Sequence, residues 1–158
     1  MIDKLTKKDL YGILDYVNHN RDTDFYITHN NERKFFKTPA DIKSILKSTG
    51  GYSSITAIGD IDGIAFIWKS LGNNIPRYYL KITAQNTSIG QRVLKVLLWH
   101  YGHLELYIKI NKQNSLLPVL KLHGFKFFGD RGKEILLKKD KFILPKRQES
   151  KDKADDID

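Results

Sequence analysis

Between Arg77 and Ala84 the residues alternate as in a strand, with Tyr78, Leu80 and Ile82 on one face, and then the period changes. The break is Gln85-Asn86-Thr87-Ser88-Ile89-Gly90, after which Ile89, Val93, Val96 and Leu97 recur at helical spacing to Tyr101. A helix N-terminus presents unpaired N–H groups and the positive end of its dipole, which suits a pyrophosphate. Close approach of phosphate to backbone needs small residues, and Ser88 and Gly90 are small; Arg92 and Lys95 follow within reach of the same anion. An ordinary strand-to-helix turn with Ser88 as its cap would use the same residue types. Other chemistry is thinner. His100 and His103 have no third ligand at a convincing spacing, so no metal is expected. His123, beside Gly124, reads as a helix C-terminus where positive charge is favourable. Neither a Ser-His-Asp arrangement nor a phosphate-binding Gly-rich loop ending in Lys appears.

Charge narrows the partners. Lys and Arg number 27 against 18 Asp and Glu, a net charge of +9. From residue 139 to 158 the two signs balance, so residues 1–138 carry the whole excess. Such a field attracts anions, whether a phosphorylated cofactor, an acidic protein surface or nucleic acid, and it argues against a polyamine substrate. Basic residues interleaved with Tyr78, Tyr79, Tyr101 and Tyr107 would suit stacking on single strands, although alternation with core positions makes burial the better account. With no cysteine, the chain has neither disulfides nor thiolate metal ligands, which fits a reducing, cytoplasmic setting. No apolar run reaches the roughly 18 residues of a membrane span, and the first residues lack a signal-peptide profile, so no membrane partner is expected.

The elements that must position the turn are legible from periodicity. Ile2–Leu5 reads as a strand. Thr6 and Asp9 open a helix with Leu10, Ile13, Leu14 and Val17 on one face. Residues 21–37 are polar and irregular, anchored by Phe25, Ile27, Phe35 and Phe36. Thr38, Pro39 and Asp41 start a second helix, which Gly50-Gly51 should stop. Strands are expected at Ser53–Ile58, Ile64–Lys69, Arg77–Ala84 and Leu104–Ile110, and a short helix at Ser115–His123. Phe125–Phe128 and Lys133–Lys138 make a closing hairpin around Gly129–Gly132. The expected order is β-α-α-β-β-β-α-β-α-β-β, a mixed α/β (α+β) sheet in one domain over 1–138, followed at 139–158 by a charged tail, expected to be disordered, that has no apolar pattern after Pro145.

This order resembles the GCN5-related N-acetyltransferase (GNAT) family over residues 1–138. The family's acetyl-CoA motif has Gln or Arg, two residues, Gly, one residue, then Gly or Ala. Gln85 and Gly90 match it, with Ser88 in place of the first glycine. An Asn-containing loop and a short helix ending in Gly124-Phe125 resemble the family's later signature, and the closing hairpin follows. The resemblance implies acetyl transfer from acetyl-CoA to an amine acceptor, with the fourth and fifth strands of the family sheet parted. It places cofactor binding on Ile82, Thr83, Ala84, Gln85, Ser88, Ile89, Gly90, Gln91, Arg92 and Asn114. Many members carry a Tyr acid four residues before the Gly of Gly-Phe; that position here is Leu120, which donates nothing. The implied substitutes are Glu105 and Tyr107 on the fifth strand. The alternative is a catalytically degenerate member with a structural or binding role, as in an internal phage virion component; the Lys-, Ile- and Asn-rich composition would suit an AT-rich genome, phage or bacterial.

Overall fold

In the computed structural model, residues 1–72 and 75–141 are described, so most of the expected tail lies outside the described residues. Alternation along the strands decides the architecture, because it gives the central sheet two different faces. Seven strands form that sheet: β1 (Ile2–Lys4), β4 (Gly50–Ile55), β5 (Ile61–Gly72), β6 (Ile75–Ala84), β7 (Leu106–Asn111), β8 (Lys126–Arg131) and β9 (Glu134–Lys139). Their spatial order is β1-β4-β5-β6-β7-β9-β8, antiparallel except for the parallel pair β6–β7.

One face is covered by α3 (Thr87–Tyr101) and α4 (Leu117–Leu122). Val93, Leu94 and Leu97 of α3 and Leu120 of α4 pack there with Leu80, Ile82, Ile108 and Leu137. The opposite face is covered over β4 and β5 by α1 (Leu10–His19) and α2 (Pro39–Leu46), where Ile13, Ile42 and Ile45 pack on Ile64 and Phe66. Thr38 and Asp41 start α2 as expected: the Thr38 hydroxyl accepts from the Asp41 N–H, and the Asp41 carboxylate accepts from the Thr38 N–H at 3.0 Å. No helix among the described residues is long and apolar enough to cross a membrane.

The sheet, helices and closing hairpin match the expected α/β order, with one addition. Residues 21–37 are not wholly irregular: β2 (Tyr26–His29) and β3 (Glu32–Phe35) form a separate two-stranded hairpin, turned at Asn30 and Asn31, both at positive φ. A hairpin this short has too few residues to show alternation, and its stability comes from docking on the large sheet. Boundaries also move. Gly50-Gly51 does not stop α2, which ends at Leu46; both glycines open β4, where a Cβ on Gly51 would stand 2.8 Å from that of Phe66. The expected break at residues 72–76 falls at the end of a long hairpin in which Pro76 pairs with Leu71.

Candidate active site

β6 is paired with β5 along its whole length, from Gly63↔Ala84 to Gly72↔Ile75. Its other edge is different. β6 pairs with β7 only at Tyr78↔Leu106 and Tyr79↔Tyr107, after which the strands part. Among the described residues, Leu80–Ala84 thus offers an edge without a strand partner on the β7 side, a ready template for an extended amide-bearing arm. At the open end lies a cavity of about 480 Å³, lined among others by Asp22, Asp24, Thr83, Ala84, Gln85 and Asn114. The Asp24 carboxylate spans the opening, accepting from the Asn111 N–H at 3.1 Å and from the Asn114 side-chain amide. Burial pushes the neighbouring Asp22 carboxyl above its ordinary range.

α3 begins directly after this edge. Its cap is Asn86 and not Ser88: the Asn86 side chain accepts from the Ile89 N–H at 2.9 Å. The Gly90 N–H is used by the Asn86 carbonyl at 3.0 Å, and the Gln85 N–H by the Asp62 carbonyl at 3.0 Å. The Thr87 and Ser88 N–H groups keep no partner among the described residues, so the anion-binding capacity of the helix start rests on them. Ser88 and Arg92 are exposed and Gln91 is half-buried. Ile82, Ile89 and Gly90 instead pack into the core.

Gly90 is a packing glycine. A Cβ there would stand 2.5 Å from Leu116 Cδ2, a buried neighbour with little room to yield. Gly90→Ala should therefore lower stability by about 1–2 kcal/mol, overpacking of about 1–3 kcal/mol being partly offset by better helix propensity. Urea unfolding measures this, and a stabilised variant would show that α3 shifts freely.

The expected catalytic pair does come together, at the closed end of the fork and outside the cavity. The Tyr107 hydroxyl donates to Glu105 at 2.7 Å, and Lys138 pairs with Glu105 at 3.4 Å. The Arg77 guanidinium lies 4.5 Å from the Tyr107 ring centre. Burial and the bond to Glu105 push the Tyr107 hydroxyl above its ordinary pKa, so it stays protonated at neutral pH. Leu120 is 1% exposed in the core and takes no part. His123 caps α4, but burial, reinforced by Lys95, pushes its pKa down, so the favourable positive charge expected there is not realised.

Sequence reasoning passed over Lys81. It stands between Leu80 and Ile82, where alternation assigns it to a solvent face. The β2–β3 hairpin covers that face, and Lys81 is 6% exposed. Its amine lies 5.1 Å from the Tyr26 ring centre and 5.5 Å from that of Tyr79. Burial, and next the charge of Lys109, lower its pKa to about 7. The hairpin is held by buried Glu134 of β9, which accepts from the Tyr26 hydroxyl at 2.7 Å and from Arg33 at 2.8 Å. No local pattern marks this, since Tyr26 and Glu134 lie 108 positions apart.

No family model and no curated protein matches the chain. Solved structures do. A ribosomal-protein-alanine N-acetyltransferase from Brucella melitensis is similar with a TM-score of 0.68 at 14% identity, covering 89% of this chain and 99% of its own. A ribosomal-protein-S5-alanine acetyltransferase from Vibrio fischeri aligns with a TM-score of 0.66 at 16% identity, over 89% of this chain and 92% of its own. A structure described as histone acetyltransferase HPA2 and related acetyltransferase, from Corynebacterium glutamicum, gives 0.64 at 13% identity, over 91% and 97%. The mixed seven-stranded sheet, its forked parallel pair and these likenesses together show that the chain has the fold of the GCN5-related N-acetyltransferases.

Proposed function

We propose that this protein is an N-acyltransferase that moves an acetyl group from acetyl-CoA to an amine. The observation that carries the reading is the fork: an unpaired strand edge, Leu80–Ala84, that runs directly into a helix start with free N–H groups. The residues fit the cosubstrate. The backbone of Leu80–Ala84 can hold an amide-bearing arm, while the Thr87 and Ser88 N–H groups with Arg92 take the phosphates. Thr83, Ala84, Gln85 and Asn114 line the cavity between. When bound, acetyl-CoA supplies a thioester whose carbon–sulfur bond is exchanged for a carbon–nitrogen bond, CoA leaving as the thiol.

The chain's own task is to hold the amine and move its proton. Tyr107 is the β7 residue at the last β6–β7 pair, and Glu105 accepts its hydroxyl proton in a hydrogen bond. We assign this pair to proton movement, in place of the acid that Leu120 cannot supply. The purified protein should release CoA thiol from acetyl-CoA above background with a mixed set of amines. Tyr107→Phe should lower the turnover number while leaving acetyl-CoA binding intact. Absence of thiol release with every amine, in protein that binds acetyl-CoA, would remove the catalytic reading and leave a binding protein.

A further inference from the structure

A second cavity, of about 310 Å³, lies beneath the β2–β3 hairpin on the face opposite α3 and α4. Its lining includes Asn30, Asn31, Trp68, Tyr79, Lys81 and Lys109, and no carboxylate among the described residues. Two cations therefore meet in one small chamber. Neither Lys81 nor Lys109 makes an ion pair among the described residues. The acids nearest by charge to Lys81 are already engaged: Glu134 by Tyr26 and Arg33, Asp24 by Asn111 and Asn114. Lys81 lines the chamber, is more than nine-tenths buried and makes no hydrogen bond among the described residues; what its amine meets is the rings of Tyr26 and Tyr79 rather than an acid. A buried ammonium without a partner is costly, and an anionic ligand removes that cost.

The chamber also has the right address. Tyr79, in its wall, is the last β6 residue paired with β7, so the chamber adjoins the closed end of the fork. Trp68 and Tyr79 supply apolar walls, and the Asn30–Asn31 turn supplies neutral polar groups. We propose that this chamber is the acceptor pocket and that it selects a small amine bearing a carboxylate, seated between Lys81 and Lys109. The volume suits an amino acid, being at the lower end of the range for small-molecule pockets. The identification rests on the acyltransferase reading, but the anion selectivity does not.

Binding should be linked to pH. The groups around Lys81 are Tyr26 on β2, Tyr79 on β6, Lys109 on β7, Glu134 on β9 and Asp24 before β2. A carboxylate placed beside Lys81 favours the ammonium and raises its pKa from about 7, so binding takes up a proton. Affinity should then fall by about tenfold between pH 6.5 and pH 8.

The test is calorimetric titration of the full chain, without acetyl-CoA, using L-amino acids against spermidine and ethanolamine. Carboxylated amines should bind saturably and the two controls should not. Lys109→Met should weaken that binding by about 10–100-fold, the worth of a charged hydrogen bond. Lys81→Met should abolish the pH dependence. Spermidine binding as tightly as the amino acids, no amino-acid binding, or binding unchanged in Lys109→Met would overturn the proposal. Acetyl-CoA binding without amino-acid binding would sink this inference alone; the reverse would sink the acyltransferase reading and leave the pocket.

Discussion

Lys81→Met should make the free protein more stable, by about 2–4 kcal/mol at pH 6, or about 4–16 °C in melting temperature for a chain of this size. Removing a charge seldom does this, and the reason lies in where Lys81 sits. Its amine is buried against two aromatic rings and near Lys109, and its pKa falls from 10.5 to about 7. Below pH 7 the folded protein holds an ammonium that the unfolded chain would hold far more cheaply in water. The unfolded state binds more protons than the folded state between about pH 7 and pH 10.5, so stability due to this residue rises with pH across that window. The advantage of methionine, which fills a similar volume without charge, should therefore shrink by roughly half between pH 6 and pH 9. Denaturant unfolding at both pH values measures it. A Met variant less stable than the parent at pH 6, or an advantage that does not change with pH, would show that Lys81 is solvated or paired. If the prediction holds, the protein keeps a destabilising residue where an acceptor anion is proposed to sit, as expected of a site kept for binding at a cost in stability.

Acetyl-CoA should raise the melting temperature by about 5–10 °C at about 100 times its dissociation constant, since such a ligand stabilises by about 2.7 kcal/mol and each kcal/mol is worth about 2–4 °C here. Adenosine should do much less, because the free N–H groups and the dipole of α3 act on phosphate. The discriminating variant is Ser88→Glu. Ser88 is exposed in the first turn of α3, where a carboxylate is welcome to the helix dipole and leaves the fold intact. The same carboxylate occupies the place of the phosphate and repels it, so the shift should disappear. Gly90 cannot serve this purpose, because any side chain there meets Leu116. A wild-type protein that shows no shift at millimolar acetyl-CoA has no cofactor site, whatever its fold.

Local chemistry made much of this molecule readable in one dimension. The alternation of Tyr78, Leu80 and Ile82, the helical spacing of Val93, Val96 and Leu97, and the Thr38–Asp41 start of α2 each depend on neighbours a few residues away. Such patterns yielded the element order and the strand-turn-helix at Gln85–Gly90, and the acetyltransferase-like architecture followed from the resemblance of that order and its motifs to a known family. The sequence also determined that Leu120 could not be the proton donor, since its side chain has no polar atom.

Tertiary structure decided the rest, because the rest depends on what lies across the sheet. The resemblance implied that β6 and β7 part, but where they do is a matter of geometry between two strands distant in sequence, and no local pattern in either strand records it. Asn86 rather than Ser88 caps α3, a choice between two adequate residues that backbone placement alone resolves. Lys81 and Glu134 are the clearest cases. A charged residue in an alternating strand reads as solvent-facing, and it would be so had the hairpin of residues 26–35 not folded over that face. That hairpin is held by a bond from Tyr26 to Glu134, residues 108 positions apart. Burial is a property of what covers a side chain, and here the cover comes from a distant, locally unremarked segment of the chain.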